Sequence, residues 1–365
     1  MKKLIYISVF LFSLLSTFSG LFACSCIYLH TSNQIIFGRN FDYYNPNSVI
    51  IYNPKNLLKS GVPFPGENIP RWTSRYSSIT ISLLGVGYAN SGMNEKGLAI
   101  GHMGLSEAIY PEKDDRPVIT ETQWIQYMLD KCANTNEVVE EAKKIRISKA
   151  MASGEHYFVG DSEGNAAIIE FLNGQMVIHT NKDMSYMLLC NDTYEKSMKD
   201  IKNYAGLGGN KVVPERANEV DEVMAIGCNK ISQFYKKDSK NVIQDAFDIQ
   251  YAMRAPDSTK QYKEYGTQYS TIFDITNMKL YFRTKANQAI REIDFNSFKA
   301  DCSVKAKLLD IQTTGTGNVN NLFVNYSIAE NRKAIDRAVS MEPYKPSLEM
   351  LDFMQNYADS FGCEK

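Results

Sequence analysis

No charge of either sign dominates this sequence: 40 Lys and Arg face 41 Asp and Glu, giving a net charge of −1 and a pI of about 6.5. That balance argues against nucleic acid or an anionic membrane surface as partner, because both recruit cationic patches. The short basic run Lys143-Lys144-Ile145-Arg146 follows Glu140 and Glu141 and reads as a solvated helix face. Metal-binding spacing is also missing. None of the 7 cysteines forms a C-x-x-C pair, Cys24-x-Cys26 is too tight for common structural zinc, and no Gly-rich phosphate loop occurs. Neither a metal nor an organic cofactor is therefore expected. There is no internal repeat, low-complexity tract or obvious linker. After the first residues, no stretch approaches about 18 uninterrupted apolar residues, so the body of the chain reads as soluble.

What is present starts with residues 1–23, which have the layout of an export signal. Lys2 and Lys3 supply positive charge, Leu4 to Leu15 are mostly apolar, and Ser16 to Ala23 end on a small residue. A secreted or periplasmic protein is expected. Cutting after Ala23 exposes Cys24, and cutting after Ser25 exposes Cys26. Leu21-Phe22-Ala23-Cys24 also resembles a lipoprotein signal, in which Cys24 would carry lipid and anchor the chain, although bulky Phe22 fits that pattern poorly. The choice decides the chemistry of the N-terminus. Export permits disulfides, but the spacing does not reveal their connectivity.

Periodicity then organises the chain. Cys24 to Thr31 alternates as a strand, Ser32-Asn33-Gln34 turns, and a returning strand runs from Ile35 through Gly38-Arg39-Asn40-Phe41-Asp42. A strand cluster covers Ser78 to His102, with Gly85 and Gly87 interleaving with Val86 and Tyr88, and Asn94 and Gly97 forming a turn. Thr120 to Lys149 has helical periodicity broken at Asn134-Thr135-Asn136. His156 to Phe171 and Gln268 to Arg283 each read as a hairpin. From Val324 onward the pattern is polar and helical, with breaks at Pro343 and Pro346. Mixed strands and helices with hairpin turns predict an α+β layered domain over 24–323, followed by a helical C-terminal tail over 324–365. His102, His156 and His179 lie in apolar strand contexts and read as satisfied core or edge residues.

An N-terminal cysteine would combine two useful groups. Its amine, with an ordinary pKa of roughly 7.7–8.0, can act as a base near neutrality. Its thiol is a strong nucleophile once deprotonated. Arg39 and Asp42 lie on the strand expected to pair with that of Cys24, where a guanidinium and a carboxylate could set both protonation states. The same pair could equally be a surface salt bridge.

Cys24-Ser25-Cys26-Ile27 followed by Gly38-Arg39-Asn40-Phe41-Asp42 resembles the opening of the choloylglycine hydrolase and penicillin V acylase family. Three further segments resemble it in order: Ser91 to Leu98, Leu188-Leu189-Cys190-Asn191-Asp192, and Thr267-Gln268-Tyr269-Ser270-Thr271. The resemblance implies a four-layer αββα sandwich of the N-terminal-nucleophile type and hydrolysis of a small-molecule linear amide without a cofactor. Carried over by position, Cys24 resembles the nucleophile and, through its amine, the base. Arg39 and Asp42 resemble the pair that tunes it, and Asn191 the side-chain oxyanion donor. The other oxyanion position falls near Gly104, which could offer only backbone.

The sequence departs from the family where many members carry an arginine after the oxyanion asparagine. Glu222 stands there, with Arg216 nearby as a substitute. The stretch between Asn191 and Asp221 is shorter than in bile-salt members, which puts their tetramer in doubt and leaves homo-oligomerisation open. The rival reading is a catalytically altered lipoprotein or binding protein of the same fold.

Overall fold

Two strands buried on both faces organise the molecule: β1 (Ser25–His30) and β2 (Ile35–Tyr43) form a hairpin with Cys26 opposite Arg39 and Ser25 opposite Asn40. The computed structural model describes residues 24–149, 153–255, 265–299, 301–343 and 345–363. The expected export signal over 1–23 lies outside the described residues. Leu188–Leu189 pairs with the outer side of β1, and Gly266–Asp274 with the outer side of β2. Lys279–Thr284, Arg291–Asp294 and Gly317–Asn318 complete a seven-stranded sheet.

A second sheet of nine strands has Ala99–Gly104 near its middle, between Glu155–Gly160 and Ser91–Asn94. Ile27, Leu29 and Phe37 from the first sheet share one apolar core with Met103, Phe158 and Ile168 from the second. Each such fully buried side chain contributes roughly 1.5–3 kcal/mol relative to exposure.

Helices cover the outer faces. Helices α1 (Glu121–Lys131) and α2 (Thr135–Ala142) lie on the nine-stranded sheet, where Trp124 packs on Tyr157 with ring centroids 4.2 Å apart. Asn134 caps α2 by accepting from Glu137 N–H, which explains the break between the two helices. After α3 (Tyr194–Asp200), helices α4 (Val220–Phe234) and α5 (Val242–Ala252) cover the seven-stranded sheet. The result is the αββα sandwich. Among the described residues, no helix is long and apolar enough to cross a membrane.

The strand pattern read through Gly85-Val86-Gly87-Tyr88 needs correction. Residues 83–90 form bends and turns, with Gly85 at φ +79° and Gly87 at φ +97°. Both are conformations that favour glycine. The cause lies far along the chain, in α6 (Ile328–Met341) and the segment after α7 (Leu348–Asn356). Asn331 Oδ1 accepts from Val86 N–H at 3.1 Å, and a side-chain carbon at Gly87 would meet the Tyr357 ring at 2.5 Å. Tyr88, Ile335, Val339 and Tyr357 from the two regions form a small core together with Val62. A Cys302–Cys363 disulfide, spanning 61 residues, ties the C-terminal segment down. Closing a loop of that size restricts the unfolded chain by about 4 kcal/mol on the chain-entropy account. Cys24, Cys26, Cys132, Cys190 and Cys228 are free and buried.

Candidate active site

Cys24 sits at the head of β1, with 7% of its surface exposed. Its Sγ lies against the backbone of Asp42: the amide N–H donates to it at 3.4 Å, and the thiol faces the Asp42 carbonyl at 3.7 Å. Burial pushes the thiol up to about 12, while the Arg39 charge and the Asp42 N–H pull it down. A thiol held this high is protonated at rest near neutral pH.

Arg39 is 1% exposed. Its Nε and Nη2 donate to the carbonyl of His102 at 3.2 and 2.9 Å, and Nη1 has no hydrogen-bond partner among the described residues. The guanidinium carbon lies 5.1 Å from the Phe41 ring centroid, and Phe41 stacks on Tyr269. The facing strand Ala99–Gly104 of the nine-stranded sheet leaves room for this because it carries Gly101. A side-chain carbon there would lie 2.9 Å from Cys26 Sγ and 3.1 Å from Arg39 Cδ.

Asp42 is also 1% exposed. Its Oδ1 accepts from the Thr267 hydroxyl at 2.5 Å, and Oδ2 has no partner among the described residues. Burial raises its carboxyl to about 7 despite the Thr267 hydrogen bond and the Arg39 charge. The folded chain therefore holds this proton more tightly than the unfolded chain, whose aspartates titrate near 3.9. Stability from this group is fully present below about 4 and is lost as pH rises through about 7. The uncut chain should melt lower at pH 8 than at pH 4 by a margin that shrinks in Asp42→Asn. Thermal melts of both proteins check this, and an equal margin would assign the titration elsewhere, for instance to Glu121, whose carboxyl desolvation raises to about 8.

Asn191 follows the strand that pairs with β1. Its Nδ2 donates to the Gly104 carbonyl at 2.7 Å, while Oδ1 is unpartnered among the described residues. One hydrogen of that amide remains for another acceptor. Gly104 thus presents its carbonyl to Asn191, two residues beyond the His102 carbonyl that holds Arg39. One strand of the second sheet positions both groups.

Arg216 and Glu222 are placed differently. Arg216 lies exposed in the loop before α4. Glu222 stands in the first turn of α4, where its carboxylate accepts from Asn218 N–H at 2.8 Å, and it serves the helix start. The charges that act most strongly on the Cys24 sulfur are those of Arg39, Asp42 and Glu155.

Sequence reasoning assigned no role to Thr267, Tyr269 or Glu155. The first two belong to Thr267–Thr271, a segment already singled out; on the strand beside β2, alternate positions point toward Asp42 and Arg39. Glu155 carried no signal. It lies 2.8 Å from His102 Nδ1 and becomes relevant only through the pairing of its strand with Ala99–Gly104. The turn role of Asn94 is as expected: its Oδ1 accepts from Lys96 and Leu98 N–H. Among the described residues, no group of three or more His, Cys, Asp or Glu side chains is arranged to hold a metal ion.

A family model described as linear amide C–N hydrolases, choloylglycine hydrolase family, matches residues 24–306. A penicillin V acylase of Pectobacterium atrosepticum is 25% identical over 301 residues, spanning 73% of this chain and 78% of that protein. The solved penicillin V acylase of Agrobacterium tumefaciens superposes with a TM-score of 0.72 at 23% identity, covering 83% of this chain and 98% of its own. A conjugated bile acid hydrolase of Clostridium perfringens gives a TM-score of 0.67 at 20% identity, covering 82% and 100%.

Proposed function

The chain belongs to the choloylglycine hydrolase family of linear amide C–N hydrolases, and we propose that it cleaves its amide with the thiol of Cys24, made N-terminal by removal of residues 1–23. One observation carries this reading. A buried thiol lies on the Asp42 backbone, next to two buried charged side chains that each keep an unpartnered polar atom, Arg39 Nη1 and Asp42 Oδ2. Leaving such groups unpaired in a folded core costs roughly 1–3 kcal/mol each. A freed α-ammonium and a bound carbonyl substrate are the partners that would relieve that cost.

The reaction then runs through groups of this chain. The neutral α-amine of Cys24 takes the thiol proton as sulfur attacks the amide carbon, and Arg39 favours the sulfur anion. The carbonyl oxygen becomes an oxyanion, held by the second N–H of Asn191 Nδ2 and a backbone N–H near Gly104. Collapse breaks the C–N bond, and the α-ammonium passes its proton to the leaving amine. Water, deprotonated by the same α-amine, attacks the thioester and releases the acid and the thiol. Asp42 stabilises the ammonium in both halves.

Export to the periplasm or beyond supplies the cut that this chemistry requires. The relatives' names make penicillin V and a conjugated bile acid the first substrates to try, with an N-acyl lactone and a lipid amide beside them. The test joins N-terminal mass analysis of the exported protein to amine release from that panel. An unmodified Cys24 at the N-terminus together with turnover of one amide is the expected result. Lipid on Cys24, or a correctly cut protein that hydrolyses no amide, overturns the proposal.

A further inference from the structure

On the nine-stranded sheet, His156 and Glu170 occupy neighbouring strands and are both fully buried. They belong to the layer between the sheets, on the same face as Phe158 and Ile168. His156 Nδ1 lies 3.1 Å from Glu170 Oε1, and Nε2 lies 2.6 Å from the carbonyl of Cys190. A carbonyl oxygen only accepts, so Nε2 carries a proton and donates. Glu170 Oε1 also accepts from Tyr194 N–H at 2.9 Å, and Oε2 faces His179 Nε2 at 3.3 Å. One buried carboxylate therefore grips residues 190–194 at two points. It acts through His156 on the carbonyl just before Asn191 and directly on the first residue of α3 just after it. Burial works to raise the Glu170 carboxyl, but the hydrogen bonds from His156 and His179 overcome it and hold it at about 2, so Glu170 is a carboxylate at neutral pH.

We propose that Glu170 and His156 are positioning residues for the oxyanion hole, clamping the Cys190–Tyr194 segment so that the Asn191 amide stays aimed at the reacting carbonyl. The same segment is also held by the Tyr194 hydroxyl, which donates to the Tyr186 carbonyl at 3.1 Å, and by Asp192, which accepts from Lys196 at 2.5 Å, but neither of these contacts reaches the residue before Asn191. Asn191 makes a single side-chain hydrogen bond, to Gly104 of the opposite sheet, and the segment crosses from the seven-stranded sheet to α3. An amide donor stabilises an oxyanion only within narrow limits of distance and direction, and a misplacement of about 1 Å costs on the order of 100-fold. The inference rests on the proposed role of Asn191.

The experiment compares two reactions of Cys24 in the mature protein. Hydrolysis of the best amide from the panel develops an oxyanion; alkylation of the thiol by iodoacetamide does not. Glu170→Gln and His156→Leu should each lower kcat by about 100-fold with KM within a few-fold, while the alkylation rate stays at the wild-type value. His156→Gln keeps an amide donor near the Nε2 position and should recover most of the loss. In an Asn191→Ala background, Glu170→Gln should cost little more, because the group it positions has gone. This double variant also serves if His156→Leu does not fold. Equal losses in hydrolysis and alkylation, or additive losses in the double variant, overturn the clamp. Wild-type hydrolysis by Asn191→Ala instead overturns the oxyanion role itself, whatever Glu170 does.

Discussion

Cys24→Ala loses hydrolysis of every amide that the mature protein turns over, by a factor on the order of a million, the scale seen when the nucleophile of a covalent hydrolase is removed. The fold survives, because the substitution deletes one sulfur atom at the end of β1 and breaks no backbone ladder. Cys24→Ser retains at most a trace of activity. An alcohol in the same buried position ionises far less readily than a thiol already pushed up to about 12. Single-turnover amine release measures the loss, and a melting curve within a few degrees of wild type shows that the site alone has changed. Turnover by a correctly cut alanine variant at the wild-type rate would move the nucleophile elsewhere, and Cys26, buried beside Arg39, would be the next thiol to replace.

The second large effect comes from adding a residue rather than removing one. One extra residue kept in front of Cys24 after export leaves the thiol, Arg39 and Asp42 in place but turns the α-amine into a peptide nitrogen. That nitrogen has no lone pair available for proton transfer. The thiol remains protonated, with roughly one molecule in 10⁵ ionised at pH 7 for a group near 12. The rate should fall by at least the 10²–10⁴-fold typical of a lost general base. Alkylation by iodoacetamide should slow with it, unlike in the clamp variants. Mass analysis confirms the extra residue, and full activity with it present would mean that an internal side chain serves as the base.

The hairpin of β1 and β2 was legible because its signals are local. Cys26, Tyr28 and His30 alternate with Ile27 and Leu29, and Ser32-Asn33-Gln34 turns the chain back within reach. The same local reading misjudged Gly85 to Tyr88. Alternation of glycine with apolar residues imitates a strand, but the conformation is set by Asn331 and Tyr357, more than 200 positions away in sequence. The histidines illustrate a third case. His156 has a partner at each ring nitrogen, as its apolar surroundings suggest, yet nothing in the spacing says that His156 and His179 share Glu170 or that His156 reaches the residue before Asn191. Glu222 has a local task at the start of α4 that its position in the sequence did not suggest. Side-chain partners across the sandwich depend on which strands become neighbours, and that ordering is a property of the assembled sheets.

The neighbours of β1 and β2 also determine when this hairpin becomes enclosed. Its own pairing is local, but its flanks are closed by Leu188–Leu189 on one side and Gly266–Asp274 on the other. β1 thus has one partner close by in sequence and another about 160 residues away. Contacts of such long sequence separation pay their loop-closure entropy before they return any stabilisation, and they slow folding. Until residue 274 is available, β2 presents a nine-residue row of open N–H and C=O groups flanked by apolar side chains, the geometry that templates pairing with another chain. A chain ending before Gly266 would keep every residue of the β1–β2 hairpin and should aggregate through its open edge.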